Sequence, residues 1–279
     1  MTLLRHGDRG LAVTQLQKSL NARGANLATD GSFGDETEKA VRAFQRSVGL
    51  VDDGVAGEKT HAALAGADCS ALLKNAVLIA AAKRLDVELA VIYAVNEVES
   101  LGTGFLANGK PKILFERHVM YERLQLVRSD KIDAAVLKQR ALHLAAQYPT
   151  LVNPKSGGYI GGAGEHQRLA QARQLDATCA PEATSWGAFQ IMGYHATRLG
   201  YASIDEFVRL MSSSENEQFE AFVRFIEADP ALHKALKAKK WAAFAQGYNG
   251  PAYQRNLYDV KLERAYLCHA ACGCVKEAA

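Results

Sequence analysis

The stretch DGSFGDET at residues 30–37 recurs as DGVAGEKT at residues 53–60, and the two copies share the pattern D-G-x-x-G-[DE]-x-T. The Asp-Gly pair in each copy predicts a tight turn, because glycine tolerates the backbone angles that such turns need. The second glycine is expected to permit a further unusual backbone angle. The acidic residue after it suits the positive N-terminal end of a helix. Both copies therefore predict a junction between a loop and a helix.

The segments that precede the turns also repeat. Apolar residues at 13, 16 and 20 match those at 41, 44 and 48, with a glutamine after the central residue in each set. This spacing predicts helices with one apolar face. We expect three short helices near residues 11–23, 35–48 and 57–65. Their predicted core is Leu11, Val13, Leu16, Leu20, Phe33, Val41, Phe44, Leu50, Val55 and Leu64.

Residues 1–66 resemble the peptidoglycan-binding type 1 family, whose pattern LQ…DG.FG..T..AV..FQ…GL..DG..G..T they follow in order. The resemblance implies a module that holds the chain on the bacterial cell wall. It assigns no wall-contacting residue, because most of the motif residues are also those that a three-helix fold requires.

A second module is expected over residues 70–279, after a short break of small residues. Segments 71–85 and 87–99 are apolar nearly all round, which predicts a buried pair of helices. Two short apolar arms around an Asn-Gly pair then predict a β-hairpin over residues 102–115. The rest of the second module is predicted to contain few strands. Helices are expected near residues 136–147, 165–178, 188–199, 203–211, 214–228, 231–246 and 252–270.

Four strings of the second module resemble the phage N-acetylmuramidase family: VES at 98–100, ILFERH at 113–118, SWGAFQIM at 185–192 and GYNGP at 247–251. They are more distantly similar to goose-type lysozymes and lytic transglycosylases, and the order of the two modules resembles endolysins of phages that infect Gram-negative bacteria. The resemblance implies a mainly α fold, in which a three-helix wall-binding module precedes a lysozyme-like α+β domain with a small β-hairpin or sheet.

Cleavage of a glycosidic bond needs a carboxylic acid that keeps its proton near neutral pH. Glu99 ends the apolar helix beside the predicted hairpin, and its Glu-Ser context resembles the catalytic position of related lysozymes. Two positions turn a helix by about 200°, so Glu97 is expected to face elsewhere. Glu116 is the candidate for a second catalytic group, although a bracing pair with Arg117 or His118 explains it equally well.

Five residues are expected to contact the sugars, because aromatic faces stack on sugar rings and polar side chains bond to acetamido and hydroxyl groups. They are Ser185, Trp186, Gln190, Tyr248 and Asn249. Core packing is the alternative for Trp186, and a Tyr-Asn-Gly turn also needs no function to explain it.

Composition bears on the other classes of function. A net charge of +3 and a pI of about 8.5 do not indicate nucleic-acid binding. The chain has no HExxH motif, and its five cysteines, Cys69, Cys179, Cys268, Cys272 and Cys274, are expected to be reduced thiols. The cluster of Cys268, His269, Cys272 and Cys274 lacks the spacing of structural zinc sites. We expect neither a metal nor a cofactor.

The apolar runs are short of the roughly 20 residues that a membrane span needs, and the first residues do not have the pattern of a secretory signal. We therefore expect no insertion into a membrane and synthesis in a host cytoplasm. The resemblance to phage endolysins implies that the protein stays there until lysis and then acts at the periplasmic cell wall, and we expect a monomer.

The expected function is that of an endolysin, which binds peptidoglycan and hydrolyses the MurNAc-β-1,4-GlcNAc bond. Residues 1–66 would raise the local concentration of substrate by tethering. Two alternatives remain open: a lytic transglycosylase that forms 1,6-anhydro products, and a wall-binding protein without activity.

Overall fold

The computed structural model describes residues 3–100, 102–129 and 132–271. The chain forms two compact units: residues 1–103 with residues 229–279 make the first, and residues 104–228 make the second. The predicted domain boundary near residues 66–70 lies inside the first unit and stays a prediction. No helix among the described residues combines the length and apolar character that crossing a bilayer requires.

The first unit contains eight helices among its described residues. They are α1 (Leu11–Asn21), α2 (Asp35–Ser47), α3 (Glu58–Leu64), α4 (Asn75–Leu85), α5 (Leu89–Glu99), α12 (Pro230–Lys237), α13 (Trp241–Asn249) and α14 (Tyr258–Ala271). The first five agree with the predicted helices to within four residues at each end, because the apolar periodicity and the turn motifs locate them.

The sequence repeat is also a structural repeat, centred on a buried glutamine in each copy. Gln17 donates through Nε2 to Asp30 Oδ1 at 2.9 Å and to Thr37 Oγ1 at 3.1 Å, and its Oε1 accepts from the backbone N–H of Gly31 at 3.0 Å. Three positions of the motif, the Asp, the first Gly and the Thr, therefore converge on one side chain.

Gln45 makes the same bonds in the second copy, with Asp53 at 2.9 Å, Thr60 at 3.1 Å and the N–H of Gly54 at 3.0 Å. The first glycine of each motif has a positive φ, +73° at Gly31 and +75° at Gly54. The expectation for the second glycine is wrong, since Gly34 has the ordinary φ of −95°.

The predicted core of the first module is largely present. Val13, Leu16, Leu20, Phe33, Val41, Phe44, Leu50 and Leu64 are buried. Two predicted core residues are not buried: Val55 is half-buried, and Leu11, at the start of α1, is 83% exposed.

The first module packs directly on α4 and α5. Leu50 and Lys74 form a single antiparallel β-bridge, and Leu72 packs against the core of the module. The hydroxyl of Tyr93, on α5, lies 2.8 Å from Asp52 Oδ1 and 2.8 Å from Asn75 Oδ1. The helix that ends in Glu99 is thus fixed in part by residues of the first module.

The second unit contains six helices and a small sheet among its described residues. The helices are α6 (Arg117–Arg123), α7 (Ala134–Gln147), α8 (Ala163–Leu175), α9 (Cys179–Glu182), α10 (Ile204–Met211) and α11 (Glu215–Glu227). Strands β1 (Ile113–Phe115), β2 (Thr184–Trp186) and β3 (Ile191–Met192) pair antiparallel in that order, with Ile113 opposite Trp186 and Trp186 opposite Ile191. The predicted fold class, mainly helical with a small sheet, is confirmed.

The predicted hairpin is only partly regular. The chain reverses at its Asn-Gly pair and closes with one bridge between Phe105 and Pro111, while the second arm, β1, takes its strand partner from β2. The helix predicted over residues 188–199 is wrong: β3 and a 3₁₀ turn at Gly193–His195 occupy that stretch. Gly187 at φ +76° and Gln190 at φ +51° turn the chain back so that β3 can pair with β2.

Candidate active site

Glu99 ends a helix that is apolar on nearly every face. Residues 89–95 of α5 are all buried, and Glu99 itself is only 7% exposed. Because burial removes a carboxylate from water, it disfavours the charged form. The pKa of Glu99 is raised to about 7, and burial is the cause.

Two groups of the first unit oppose that shift without cancelling it. Asn249, at the end of α13, donates from Nδ2 to Glu99 Oε1 at 3.0 Å, and the positive charge of Lys261 on α14 acts in the same direction. A carboxyl with a pKa near 7 is protonated in a large fraction of molecules at neutral pH, and it can therefore act as a general acid.

Aromatic side chains complete the surroundings of this carboxyl. Burial and the charge of Glu99 raise the pKa values of both Tyr248 and Tyr258. The ring of Tyr248 stacks on Phe244, with the ring centroids 6.0 Å apart. The structure thus brings together Glu99, Tyr248 and Asn249 among the predicted site residues.

Glu97 lies on another side of α5, as the helical spacing predicts. Its Oε2 is 2.9 Å from Nε2 of the buried His269 on α14, and this bond lowers the pKa of Glu97. The two carboxyls at the end of one helix therefore have opposite pKa shifts.

Glu116 directly precedes α6 in the second unit. Its Oε2 accepts a hydrogen bond of 2.7 Å from the hydroxyl of Tyr159 and lies 3.2 Å from Nδ1 of His118. Burial and this bond raise the pKa of Tyr159, so the phenol keeps the proton that it donates to Glu116. Of the two bracing partners that the sequence suggested, His118 lies beside Glu116, whereas Arg117 bonds to the backbone carbonyls of residues 149, 155 and 156.

Ser185 and Gln190 contact each other in the turn between β2 and β3. The Ser185 hydroxyl donates to Gln190 Oε1 at 2.7 Å, and Gln190 Nε2 donates to the carbonyl of Gly187 at 2.8 Å. Trp186 is 3% exposed and donates from Nε1 to the carbonyl of Pro181 at 3.2 Å. Through these bonds all three residues support the small sheet. Their contacts with sugar stay predictions.

No group of three or more His, Cys, Asp or Glu side chains in the described part of the chain is arranged to hold a metal ion. Within the C-terminal cysteine cluster, Cys268 is exposed, whereas His269 is buried against Glu97. Cys272 and Cys274 lie outside the described residues.

Family models match the two modules in the order that the sequence indicates. A peptidoglycan binding domain family matches residues 9–64, and the N-acetylmuramidase family matches residues 88–270. The second match covers more than half of the chain. The chain belongs to the N-acetylmuramidase family. The expected enzyme class, a glycoside hydrolase of the lysozyme type, is thereby confirmed.

This muramidase is similar to a solved phage protein over almost its whole length. The crystal structure of Burkholderia AP3 phage endolysin matches 97% of this chain and 99% of that one, with 51% identity and a TM-score of 0.86. The expected recognition, a modular endolysin with its binding module first, is confirmed.

Curated relatives match shorter stretches of the muramidase. The N-acetylmuramoyl-L-alanine amidase CwlL of Bacillus licheniformis is 43% identical over 67 residues, 23% of this chain, and the zinc D-Ala-D-Ala carboxypeptidase of Streptomyces albus G is 47% identical over 60 residues, 20% of this chain. The matches span 19% and 24% of those proteins, about a fifth of their length.

Sequence reasoning missed three residues of the muramidase that the structure brings to the C-terminal end of α5. Tyr258 and Lys261 influence Glu99, and His269 binds Glu97. All three lie on α14, at helical spacing, and only the packing of α14 on α5 brings them to the site.

Proposed function

We propose that this muramidase binds peptidoglycan and hydrolyses the β-1,4 bond between MurNAc and GlcNAc, with Glu99 as the general acid. The observation that carries the proposal is the buried carboxyl of Glu99, whose pKa is raised to about 7. A lysozyme-type reaction needs a carboxyl in this state, because the leaving sugar oxygen departs only when it receives a proton.

In the proposed reaction, the Glu99 carboxyl gives its proton to the glycosidic oxygen as the bond from that oxygen to C1 of MurNAc breaks. Positive charge develops on C1 and the ring oxygen, and a water molecule then forms the new bond to C1. Tyr248 and Asn249 lie beside the acid, where an aromatic ring and an amide can contact a sugar.

Water must lose a proton when it adds to C1, and we propose Glu116 as the group that accepts it. The hydrogen bond of 2.7 Å from the hydroxyl of Tyr159 to Oε2 holds the Glu116 carboxyl in one orientation. Ser185, Trp186 and Gln190 are proposed as sugar contacts.

The first module is proposed to keep the enzyme on the wall. We further propose that the chain works as a monomer, inserts into no membrane and binds no nucleic acid. It would stay in the host cytoplasm until lysis and then act at the wall.

Digestion of purified peptidoglycan tests the reaction. Wild-type protein should release fragments with reducing MurNAc ends, measured by mass spectrometry, and Glu99→Gln should lower the rate by about 10²- to 10⁴-fold while wall binding is kept. Glu263→Gln, an exposed carboxyl on α14, is the matched control and should retain full activity. Products with 1,6-anhydro ends would replace the hydrolase with a transglycosylase, and full activity of Glu99→Gln would contradict the assigned acid.

A further inference from the structure

A cavity of the first unit lies between the start of the chain, the end of α5 and α14. It has a volume of about 530 Å³, and its charged lining comes from three parts of the chain: Arg5 and His6 of the first module, Glu97 of α5, and Lys261 and Arg264 of α14. We call this cavity the basic pocket. Its volume is in the range of small-ligand sites and is too small for a folded partner.

The basic pocket has an excess of positive charge. Arg5, Lys261 and Arg264 are exposed, and none of the three forms an ion pair within 4.0 Å among the described residues. The one carboxylate of the lining, Glu97, is already bound to His269 at 2.9 Å, and Arg5 and Arg264 are close enough to lower its pKa further.

The position of the pocket relates it to the reaction. Val98, which precedes Glu99 in the chain, also lines it. Lys261 lowers the pKa of Glu99, so its ammonium group acts on both the pocket and the acid. The pocket and Glu99 therefore share Lys261 as a neighbour, which places the pocket within reach of a short chain attached to a sugar at Glu99.

We propose that the basic pocket binds a carboxylate of the peptide stem that MurNAc carries. This inference rests on the proposed function, because it takes the substrate to be a peptidoglycan strand with MurNAc beside Glu99. Each MurNAc bears a short peptide with free carboxylates on its lactyl group. A guanidinium fork matches a carboxylate with two parallel hydrogen bonds, and the pocket offers two such forks, Arg5 and Arg264.

The arrangement would also give the first module a part in substrate selection. Arg5 and His6 come from the module, whereas Lys261 and Arg264 come from the helix beside the acid. A stem carboxylate held between them would align the strand on Glu99 as well as hold it near the wall.

The test measures equilibrium dissociation constants of two probes for a set of protein variants. All variants carry Glu99→Gln, which we expect to prevent cleavage of the probes. The probes are fluorescent soluble glycan strands with acetylated stem amines, either with native stem carboxylates or with those carboxylates converted to methylamides. The proteins are Glu99→Gln alone and with Arg264→Gln, Arg5→Gln or, as the matched control, Lys83→Gln. Lys83 is an exposed lysine on α4 outside the pocket.

We expect Arg264→Gln and Arg5→Gln each to weaken binding of native strands about fivefold, the effect of losing one exposed ion pair. On amidated strands neither substitution should change the affinity further. Lys83→Gln should leave the affinity for both probes unchanged. Equal weakening on both probes, or no weakening on native strands, would overturn the proposal.

These binding measurements do not depend on turnover. If wild-type protein failed to cleave peptidoglycan, the proposed function would fail while the coupling between Arg264 and the stem carboxylates could still be measured. The proposal for the pocket and the proposed function therefore fail on different results.

Discussion

Asn249 donates a hydrogen bond of 3.0 Å from Nδ2 to Oε1 of Glu99, which lies 150 residues earlier in the chain. The bond lowers the pKa of a carboxyl that burial raises, and the balance leaves that pKa at about 7. Burial thus raises the proton affinity of the proposed acid, and the end of α13 limits that rise.

The rate should fall as pH rises through about 7, because Glu99 then loses the proton that it must donate. Removal of the opposing hydrogen bond in Asn249→Ala should raise this pKa and move the alkaline limb to higher pH. The measurement is kcat against pH on soluble glycan fragments. An alkaline limb that stays in place in Asn249→Ala would contradict the role of the bond, and Glu263→Gln serves as the control.

Glu99→Gln should be more stable than the wild type at alkaline pH. The folded-state pKa of about 7 exceeds the ordinary value of 4.5, so the carboxyl favours the fold fully below pH 4.5, and this contribution is lost as pH rises through 7. Glutamine stays neutral and avoids the loss, which is about 3 kcal/mol in the free energy of unfolding.

Urea unfolding at pH 4.5 and pH 8.5 measures this difference. The two proteins should have similar stabilities at the lower pH and diverge at the higher one. A constant difference across the range would mean that position 99 affects stability through packing alone.

Gln45→Leu should destabilise the first module by about 2–3 kcal/mol, because it leaves the buried N–H of Gly54 without its acceptor at 3.0 Å. Gln17→Leu should act similarly through Gly31. The control is Gln15→Leu, since Gln15 is exposed on α1. Thermal unfolding followed by circular dichroism distinguishes them, and equal melting temperatures for Gln45→Leu and Gln15→Leu would refute the assigned bonds.

Tyr93→Phe should lower the free energy of unfolding by about 1–3 kcal/mol, because it removes the hydroxyl between Asp52 and Asn75. Since the first module packs on α4 and α5, we expect one cooperative transition to shift rather than a separate one to appear. Calorimetry checks this expectation, and two resolved transitions would indicate that the module unfolds independently.

Deletion of residues 1–66 should reduce turnover on soluble fragments as well as wall binding. Tethering alone predicts a larger loss of binding than of turnover, but the deletion also removes Asp52, which bonds to Tyr93 of α5, and the apolar core against which Leu72 packs. Unchanged turnover in a folded truncated protein would favour a tether that acts only on concentration. Its melting temperature, compared with that of the full chain, should fall.

Much of the first module is predictable from sequence because its signals are local. The turn motif fixes where α2 and α3 begin, and the apolar spacing fixes the faces that hold Val13, Leu16 and Val41. Leu11 fits the same spacing and is nevertheless exposed, since it lies at the first position of α1, before a neighbouring helix can cover it.

The sheet of the second unit was less predictable. Residues 188–199 have helical spacing, yet β3 forms there by pairing with β2, and β2 is in turn held by β1, where Leu114 lies opposite Ser185. The aromatic ring of Trp186 is of a kind that stacks on sugars, which the sequence shows. Its burial, which leaves it 3% exposed, is visible only in the structure.

The sequence by itself determined the order of the two modules, the turns and helices of the repeat, and the different helix faces of Glu97 and Glu99, because each of these depends on residues a few positions apart. Only the tertiary structure decided that Glu99 is buried, that Asn249 and Lys261 act on it, and that Arg5 and Arg264 line one pocket. The pKa of a carboxyl depends on the water, charges and hydrogen bonds around it, and here those come from segments far apart in the chain.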